Sequence, residues 1–361
     1  MITISLCMIL KDEEKSIGKC LNSIKDIVDE IIIVDTGSTD KTKEIVKSYT
    51  EKIYDFQWID DFSMARNFSF SKATKDYILW LDADESINEE NRERLITLKN
   101  KIDENIDVVT MKTYMDMDEN NNPKITCTRN RIVKNNKNFQ WIGFVHEYIN
   151  IDINSNIYNT DIAIIHDKIK SPDDRNLKLY KKNIKSGKKL SNRELYYYGK
   201  ELYCNEEFEE SIKILKKFVS KGKDEEEIMD ALCKIGEAYL YKEKWSEGRT
   251  YLYETFEYTS PRGEVLYNIA LSFQQEKKYI QAINWYKIIL NLETPKDCNQ
   301  CLNLCCWRFK PHLNLCSCYF EIGDIPKAYY HHKKCLEINP LNSCVVSNDE
   351  YFKSIMKIID L

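Results

Sequence analysis

The chain has 361 residues with 53 Lys or Arg and 58 Asp or Glu, so its formal net charge is −5 at pH 7. The basic excess of a nucleic-acid-binding protein is missing, and we expect no nucleic-acid partner. No apolar run approaches the roughly 20 residues that span a bilayer, and residues 2–10 are predicted to form a first strand rather than a signal peptide. We therefore expect a soluble, cytoplasmic protein whose 13 scattered cysteines stay reduced.

Strands and helices are predicted to alternate over the first half of the chain. Short apolar runs predict strands over residues 2–10, 31–34, 53–58, 78–81, 108–115 and 162–165, and helical spacing predicts helices over residues 13–27, 41–49, 62–73 and 89–102. Alternation of this kind, in units of about 30 residues, predicts a parallel α/β sheet. Ligands of such sheets bind outside the carboxyl ends of the strands.

Acidic residues stand at the ends of two of these strands. Asp82, Asp84 and Glu85 end the run over residues 78–81, and Asp35 follows the run over residues 31–34. Buried unpaired carboxylates are costly, so these acids must meet water, a cation or a ligand. Asp82 and Asp84 would point to the same side of an extended segment, which suits a divalent cation shared with substrate phosphates. A plain acidic turn is the alternative.

The second half, after about residue 172, is predicted to be helical and repetitive. Four residues each lie twelve positions before a small residue, in the pairs Gly199–Ser211, Gly236–Gly248, Ala270–Ala282 and Cys316–Ala328. The pairs recur at intervals near 34 residues, except for an insertion around residues 295–311, and this resembles the tetratricopeptide repeat. We expect four helical hairpins.

The insertion contains a cysteine cluster, formed by Cys298, Cys301, Cys305 and Cys306. The spacing of Cys298 and Cys301 would suit zinc, but no second such pair follows at the usual spacing. Reduced, partly buried thiols are the alternative, and metal binding by the cluster is left open.

Five motifs of the first half resemble, in their order, the family 2 glycosyltransferases with the GT-A fold. They are MILKDEE (8–14), VDTGSTD (34–40), FSMARN (62–67), LDADE (81–85) and GFVHE (143–147). With the repeats, the chain resembles bacterial glycosyltransferases that carry tetratricopeptide repeats, among them peptide S-glycosyltransferases. The resemblance implies an α/β GT-A domain over residues 1–172, with a Rossmann-like, mixed, mostly parallel sheet. A helical linker over residues 173–190 and an all-α solenoid of repeats over residues 191–361 would follow.

The resemblance implies a donor site for a nucleotide sugar. Asp35 would hydrogen-bond the base, normally uracil, and Asp82 would contact the ribose. Arg66 and Asn67 would lie near the nucleotide, and His146 would contact the diphosphate. The alternatives are a turn-capping role for Asp35, a surface ion pair for Arg66 and a structural role for His146.

The resemblance also implies a metal site and a catalytic base. Asp84 would ligate a divalent cation, Mn²⁺ or Mg²⁺, that bridges the donor diphosphate. Asp82, through water, and His166 would complete the metal shell, although His166 also has a structural alternative. Glu147 would be the general base. The family commonly has Asn where Asp12 stands, so Asp12 is given no role.

These roles together imply an inverting, metal-dependent transfer of sugar, from a UDP-sugar in particular, to a protein or peptide held by the repeats. Two alternatives stay open: the same chemistry on a cell-envelope glycan, and a repeat scaffold with an inactive transferase domain. The intact acids and Glu147 argue against the scaffold, and the lack of a membrane anchor weighs against the glycan. The sugar, the O- or S-linkage and the oligomeric state, with a homodimer as one option, are left open.

Overall fold

The structure is a computed structural model that describes residues 1–167, 174–295 and 301–359. The chain divides into two compact units, Met1–Asp116 with Thr126–Leu179 and Met117–Ile125 with Tyr180–Leu361. The predicted domain boundary at residue 172 lies outside the described residues, so the predicted domain limits stay a prediction.

A mixed sheet organises the first unit. The strands are β1 (Ile4–Leu10), β2 (Glu30–Asp35), β3 (Ile53–Asp55), β4 (Tyr77–Trp80), β5 (Glu85–Ser86), β6 (Val108–Met117), β7 (Pro123–Lys134), β8 (Gln140–Ile142), β9 (Tyr148–Asn150) and β10 (Ile157–His166). Their order is β3-β2-β1-β4-β7-β6-β10-β5, while β8 pairs with β9 separately. β1 runs parallel to β2 and β4, and β6 to β10, whereas β4–β7 and β5–β10 are antiparallel. The predicted mixed, mostly parallel sheet is confirmed.

The sheet is buried on both faces, as its uninterrupted apolar runs predicted. Its helices are α1 (Ile17–Ile24), α2 (Thr42–Val46), α3 (Phe62–Phe70) and α4 (Glu89–Lys101). Successive side chains of a strand point to opposite faces. In β1, Leu6 therefore packs in a core with Leu21 of α1, whereas Cys7 packs in a second core with Trp141.

The loops after β1 and β2 are tied together, which shortens the first helix. A helix was predicted over residues 13–27, but α1 begins only at Ile17. The backbone N–H of Asp12 donates to Ser38 Oγ at 3.0 Å, and that of Glu13 donates to Thr42 Oγ1 at 2.7 Å. These bonds hold residues 12 and 13 out of the helix and fix the two loops at the carboxyl edge of the sheet.

Helices build the second unit. They are α5 (Arg175–Lys185), which begins in the first unit, α6 (Asn192–Cys204), α7 (Phe208–Val219), α8 (Glu225–Tyr241), α9 (Trp245–Glu254), α10 (Gly263–Gln275), α11 (Tyr279–Leu290), α12 (Phe309–Glu321), α13 (Ile325–Ile338) and α14 (Ser343–Ile359), with a short strand β11 (Leu302–Asn303). Within the described residues, no helix combines the length and the apolar character that crossing a bilayer requires.

The repeated small residues lie where the helices of a hairpin cross. A Cβ atom added to Gly199 would lie 2.4 Å from Leu215 Cδ2, and one added to Gly236 would lie 2.7 Å from Leu252 Cγ. Ser211 Oγ also donates to the Gly199 carbonyl at 2.8 Å. The pattern predicted four hairpins, and the structure shows them as α6–α7, α8–α9, α10–α11 and α12–α13. The predicted all-α repeat architecture is confirmed.

The cysteine cluster can be described only in part, because Cys298 lies outside the described residues. Cys301 is exposed, Cys305 is half-buried, and Cys306 is buried beside Trp307. Burial raises the pKa of the Cys306 thiol to about 12, as expected for a reduced core thiol. Metal binding by the cluster stays an open question.

A pair of histidines in the last hairpin predicts a pH-dependent stability. His331 is 7% exposed, its Nδ1 lies 2.9 Å from His312 Nδ1, and its ring stacks on Tyr319. Burial, followed by the charges of His312 and Lys287, lowers the pKa of His331 from 6.5 to about 4. The unfolded chain therefore binds this proton more tightly than the folded protein does. The stabilisation is complete above pH 6.5 and is lost as the pH falls towards 4.

We expect the free energy of unfolding to fall by up to about 3 kcal/mol over this pH window because of His331 alone. Urea unfolding at pH 7, 6, 5 and 4 measures the effect. The variant His331→Phe keeps a ring against Tyr319 but cannot titrate, so its stability should depend less on pH. Equal pH slopes for the two proteins would contradict the assignment.

Candidate active site

The carboxyl ends of three parallel strands bring the predicted acids to one edge of the sheet. β1 runs parallel to β2 on one side and to β4 on the other, so all three end at the same edge. Asp35 is the last residue of β2, and Asp82 and Asp84 follow β4. This edge is the ligand edge that the strand pattern predicted.

Asp35 has one carboxylate oxygen in use and one without a partner. Oδ1 accepts the backbone N–H groups of Gly37 and Ser38, each at 2.9 Å, and the positive φ of Gly37, +106°, allows this turn. Oδ2 is buried, and no residue that the structure describes donates a hydrogen bond to it. Buried polar atoms are nearly always paired, so this oxygen is suited to accept a hydrogen bond from a ligand.

The turn between β4 and β5 holds Asp82 by its backbone. The N–H of Asp82 donates to Glu85 Oε2 at 2.9 Å, and the N–H of Glu85 donates to the Asp82 carbonyl at 3.1 Å. Arg131 of β7 grips Glu85 with two bonds of 2.7 Å and 2.5 Å, and both side chains are buried. The acidic turn therefore rests on a buried ion pair.

Arg66 of α3 joins Asp82, which is predicted to bind the donor, to Glu147, which is predicted to be the base. Its Nη2 donates to Asp82 Oδ1 at 2.7 Å and its Nε to Glu147 Oε1 at 2.6 Å. The guanidinium lies 4.9 Å from the ring of Trp80 and 4.8 Å from that of Trp141. Burial alone would raise the pKa of the Asp82 carboxyl, but the charge and hydrogen bond of Arg66 outweigh burial and hold that pKa well below its usual range.

Asn67 fixes the hairpin that carries Glu147. Its amide nitrogen donates to the Trp141 carbonyl at 2.9 Å, and its amide oxygen accepts the Trp141 N–H at 2.8 Å. The loop between β8 and β9 turns through Gly143 and His146, whose φ angles are +102° and +53°, and ends at Glu147. Both polar atoms of the Asn67 amide therefore bind the backbone of Trp141 rather than pointing to the ligand edge of the sheet.

Asp84 of the same acidic turn lies against His166. His166 Nε2 is 3.0 Å from Asp84 Oδ2, because β5 pairs with β10 and places His166 opposite Glu85. The hydrogen bond to Asp84 raises the pKa of His166 above its ordinary value, against the opposing effect of burial. Both side chains are about one-quarter exposed, at 25% and 28%, so a ligand can reach them.

The side chains of Asp84 and His166 suit a cation whose other ligands come from a substrate. Within the described residues, no three His, Cys, Asp or Glu side chains are grouped so as to hold a metal by themselves. A carboxylate and an imidazole leave most of a coordination shell to be filled. Mg²⁺ in particular is usually held by one or two carboxylates together with substrate phosphates.

The structure thus assembles the predicted residues into three groups. Arg66 links Asp82 and Glu147, His166 meets Asp84, and Asp35 lies by itself at the end of β2. The sequence analysis gave no role to Trp80, Arg131 and Trp141. It expected Glu85 to meet water, a cation or a ligand, whereas Glu85 is buried against Arg131. The sequence around Arg131 gave no signal of burial, because Arg129, Asn130 and Lys134 are as polar as an exposed segment would be.

Residues 5–155 match the family model described as Glycosyl transferase family 2. This range contains all five motifs and all the candidate residues except His166. Most of the first unit therefore matches the family 2 glycosyltransferases, as the motifs predicted.

Two curated relatives and one solved structure illustrate the wider similarity. The SPbeta prophage-derived glycosyltransferase SunS of Bacillus subtilis (strain 168) is 30% identical over 266 residues, which are 69% of this chain and 62% of SunS. A TPR repeat-containing protein of Synechococcus elongatus is 49% identical over 87 residues, 24% of this chain and 22% of that protein. The crystal structure of MamA aligns with 45% of this chain and 86% of its own, at 18% identity and a TM-score of 0.37. The chain spans less than two thirds of the length of both curated relatives.

Proposed function

We propose that the protein is an inverting glycosyltransferase that moves a sugar from a nucleotide sugar to a protein or peptide acceptor. The observation that carries this proposal is the link made by Arg66, which holds Asp82 and Glu147 within one hydrogen-bonded unit at the ligand edge. The residue that binds the donor and the residue that takes the acceptor's proton must lie close together, because the acceptor attacks the carbon from which the leaving group departs.

Asp35 supports a uridine nucleotide as the donor. Its buried Oδ2 lacks a hydrogen-bond donor, and the imide N–H of uracil would supply one. Its Oδ1 is already saturated by two backbone N–H groups, so the carboxylate is fixed in orientation before the base arrives.

The chain's own residues supply binding and proton transfer. Asp84 and His166 would hold a divalent cation together with the diphosphate, and Asp82 would contact the ribose or that cation through water. When bound, Mn²⁺ or Mg²⁺ neutralises charge that develops on the leaving diphosphate. Glu147 takes the proton from the acceptor hydroxyl or thiol.

The displacement follows from these positions. The acceptor oxygen or sulfur forms a bond to the anomeric carbon while the bond from that carbon to the diphosphate oxygen breaks. The electron pair of the breaking bond leaves with the nucleoside diphosphate, and the proton goes to Glu147. A single displacement of this kind inverts the anomeric centre.

A panel of nucleotide sugars tests the donor proposal. The full-length protein is incubated with each sugar nucleotide and Mn²⁺, and released nucleoside diphosphate is measured. We expect turnover of a UDP-sugar. If no nucleotide sugar is turned over or bound, the scaffold alternative with an inactive transferase domain takes the place of this proposal.

The repeats support a polypeptide acceptor through a polar face on the first helices of successive hairpins. Arg193 of α6 pairs with Glu227 of α8 at 2.6 Å, and Asn268 of α10 donates to Glu237 of α8 at 2.7 Å. Such a row of partly exposed donors and acceptors suits an extended chain, which presents its own polar groups at regular intervals.

Exchanging the members of one ion pair tests this role. The double variant Arg193→Glu/Glu227→Arg keeps an internal pair but reverses the charges that an acceptor meets. We expect KM for the peptide acceptor to rise about 10-fold, equivalent to 1.4 kcal/mol, with unchanged donor hydrolysis. The same exchange of Asp324 and Lys327 is the control. If both exchanges alter acceptor KM equally, or neither does, the face is not the acceptor site.

A further inference from the structure

Arg131 is a charged residue placed inside the sheet. It lies on β7, next to Ile132, which pairs with Leu79 of β4. The side chain of Arg131 is fully buried. A buried charge is tolerated only when it is paired and hydrogen-bonded. Arg131 meets this condition through two bonds to Glu85 and a third, of 2.9 Å, to Thr113 Oγ1.

The ion pair reaches the ligand edge through Glu85. The same oxygen that accepts Arg131 Nη1, Oε2, also accepts the backbone N–H of Asp82 at 2.9 Å. The guanidinium of Arg131 lies 4.0 Å from the Trp80 ring, and that of Arg66 lies 4.9 Å from the same ring. Asp82 is thus held at both ends, by Glu85 at its backbone and by Arg66 at its carboxylate.

Stability alone does not account for this arrangement. Replacing a buried ion pair by apolar residues of similar volume is often neutral or stabilising, so a buried pair is weak evidence of a stabilising role. Two fully buried charges under a two-strand turn do, however, fix the direction in which the turn's carboxylates point. Fixed supporting partners of this kind typically change ligand affinity 10- to 100-fold when they are removed.

We propose that Arg131, acting through Glu85, is a positioning residue that sets the acidic turn over residues 82–85 for the donor diphosphate. This inference rests on the proposed function. The nucleoside end of the donor would meet Asp35 at the end of β2, and none of the bonds of Arg131 or Glu85 involves that loop. Of the two contacts proposed for Asp82, this inference takes the water-mediated contact with the cation and not the contact with the ribose. Binding of the diphosphate then depends on Arg131, and binding of the nucleoside does not.

The double variant Glu85→Met/Arg131→Met tests the inference in the full-length protein. It removes both charges together, so no unpaired charge stays buried. We expect the Kd for UDP with Mn²⁺, measured by calorimetry, to rise about 10- to 100-fold. The Kd for uridine, measured by ligand-observed NMR, should change less than about 2-fold, because the pair makes no bond with the loop of Asp35. A purely structural role would instead weaken the binding of both uridine and UDP.

Two further variants separate a positioning role of Arg131 from a general loss of stability. Arg131→Lys retains the charge but loses the two-pronged grip on Glu85, and it should weaken UDP with Mn²⁺ while leaving uridine unchanged. The control variant Asp29→Leu/Lys99→Met removes another ion pair of the same unit, with a length of 2.7 Å, and it should change neither Kd. This pair lies at the start of β1, where Asp29 accepts the N–H of Ile4.

The outcomes separate the inference from the function on which it rests. Wild-type affinity for UDP with Mn²⁺ in both Arg131 variants, or parallel loss of uridine and UDP binding, would overturn the positioning role alone. A wild-type protein that bound neither uridine nor UDP with Mn²⁺ would overturn the proposed uridine-nucleotide donor, and the positioning role with it.

Discussion

Replacing Asp84 by alanine is expected to lower donor turnover by about 10³-fold or more, because charge compensation at a leaving diphosphate supplies several kcal/mol. The side chain is 25% exposed and its hydrogen-bond partner is His166, so its removal leaves no deeply buried charge. Release of nucleoside diphosphate from the donor that the nucleotide-sugar panel identifies measures the effect. Circular dichroism and the Tm should match those of the wild type.

A control for Asp84 is available on the strand that carries His166. Asp161 of β10 is 81% exposed and pairs with Lys112, and exposed pairs contribute little. Asp161→Ala should keep wild-type turnover. Treatment of the wild type with EDTA should reproduce the Asp84→Ala defect, and added Mn²⁺ should reverse it. Normal turnover by Asp84→Ala, or by the chelated wild type, would refute the cation role.

The sheet and its ligand edge could be predicted because their signals are local. An apolar run such as residues 78–81 is expected inside a core, and the acids at its end are expected at an edge. Asp82 and Asp84 follow this expectation, whereas Glu85 is satisfied by the buried Arg131. This reasoning placed Asp35 and Asp82 at strand carboxyl ends on one edge of the sheet, and the parallel pairing of β1 with β2 and β4 confirms that placement.

β7 and β5 could not be predicted, because they depend on distant partners. β7 contains four charged residues, Lys124, Arg129, Arg131 and Lys134, which is typical of an exposed segment. Its Arg131 is nevertheless buried against Glu85, 46 residues earlier in the chain. β5 has only two residues and exists because β10 pairs with it. A sequence shows the charge of Arg131 but not the carboxylate that makes its burial affordable.

The motif around Asn67 shows a second limit. The resemblance predicted a residue near the nucleotide, whereas the structure engages both ends of the amide with the backbone of Trp141, 74 residues away. Its neighbour Arg66 contacts the acids directly, so two adjacent residues of one helix do different work. The nucleotide contact of Asn67 stays a prediction.

Glu147 presents the second large expected effect. In the structure its Oε1 accepts Arg66 Nε at 2.6 Å, and its side chain is 11% exposed. Glutamine at this position can still accept that hydrogen bond through its amide oxygen, so the loop after Gly143 should keep its conformation. What is lost is the ability to take a proton.

Glu147→Gln is therefore expected to lower kcat for transfer by about 10²-fold or more, with little change in the affinity for the donor.

Asp35→Asn should give the opposite result, a weaker affinity for the donor with little change in kcat. Its amide oxygen can keep the bonds from Gly37 and Ser38, but its NH₂ group would face the uracil imide where the unpaired oxygen now stands, so donor Kd should rise while kcat at saturation changes little. Calorimetry with the nucleotide sugar and steady-state transfer kinetics separate the two. Loss of nucleotide-sugar binding in Glu147→Gln would make Glu147 a donor ligand. The base would then have to be sought at His146, which precedes Glu147 in the loop between β8 and β9, or at Asp167, whose backbone N–H donates to the Asp84 carbonyl at 2.9 Å.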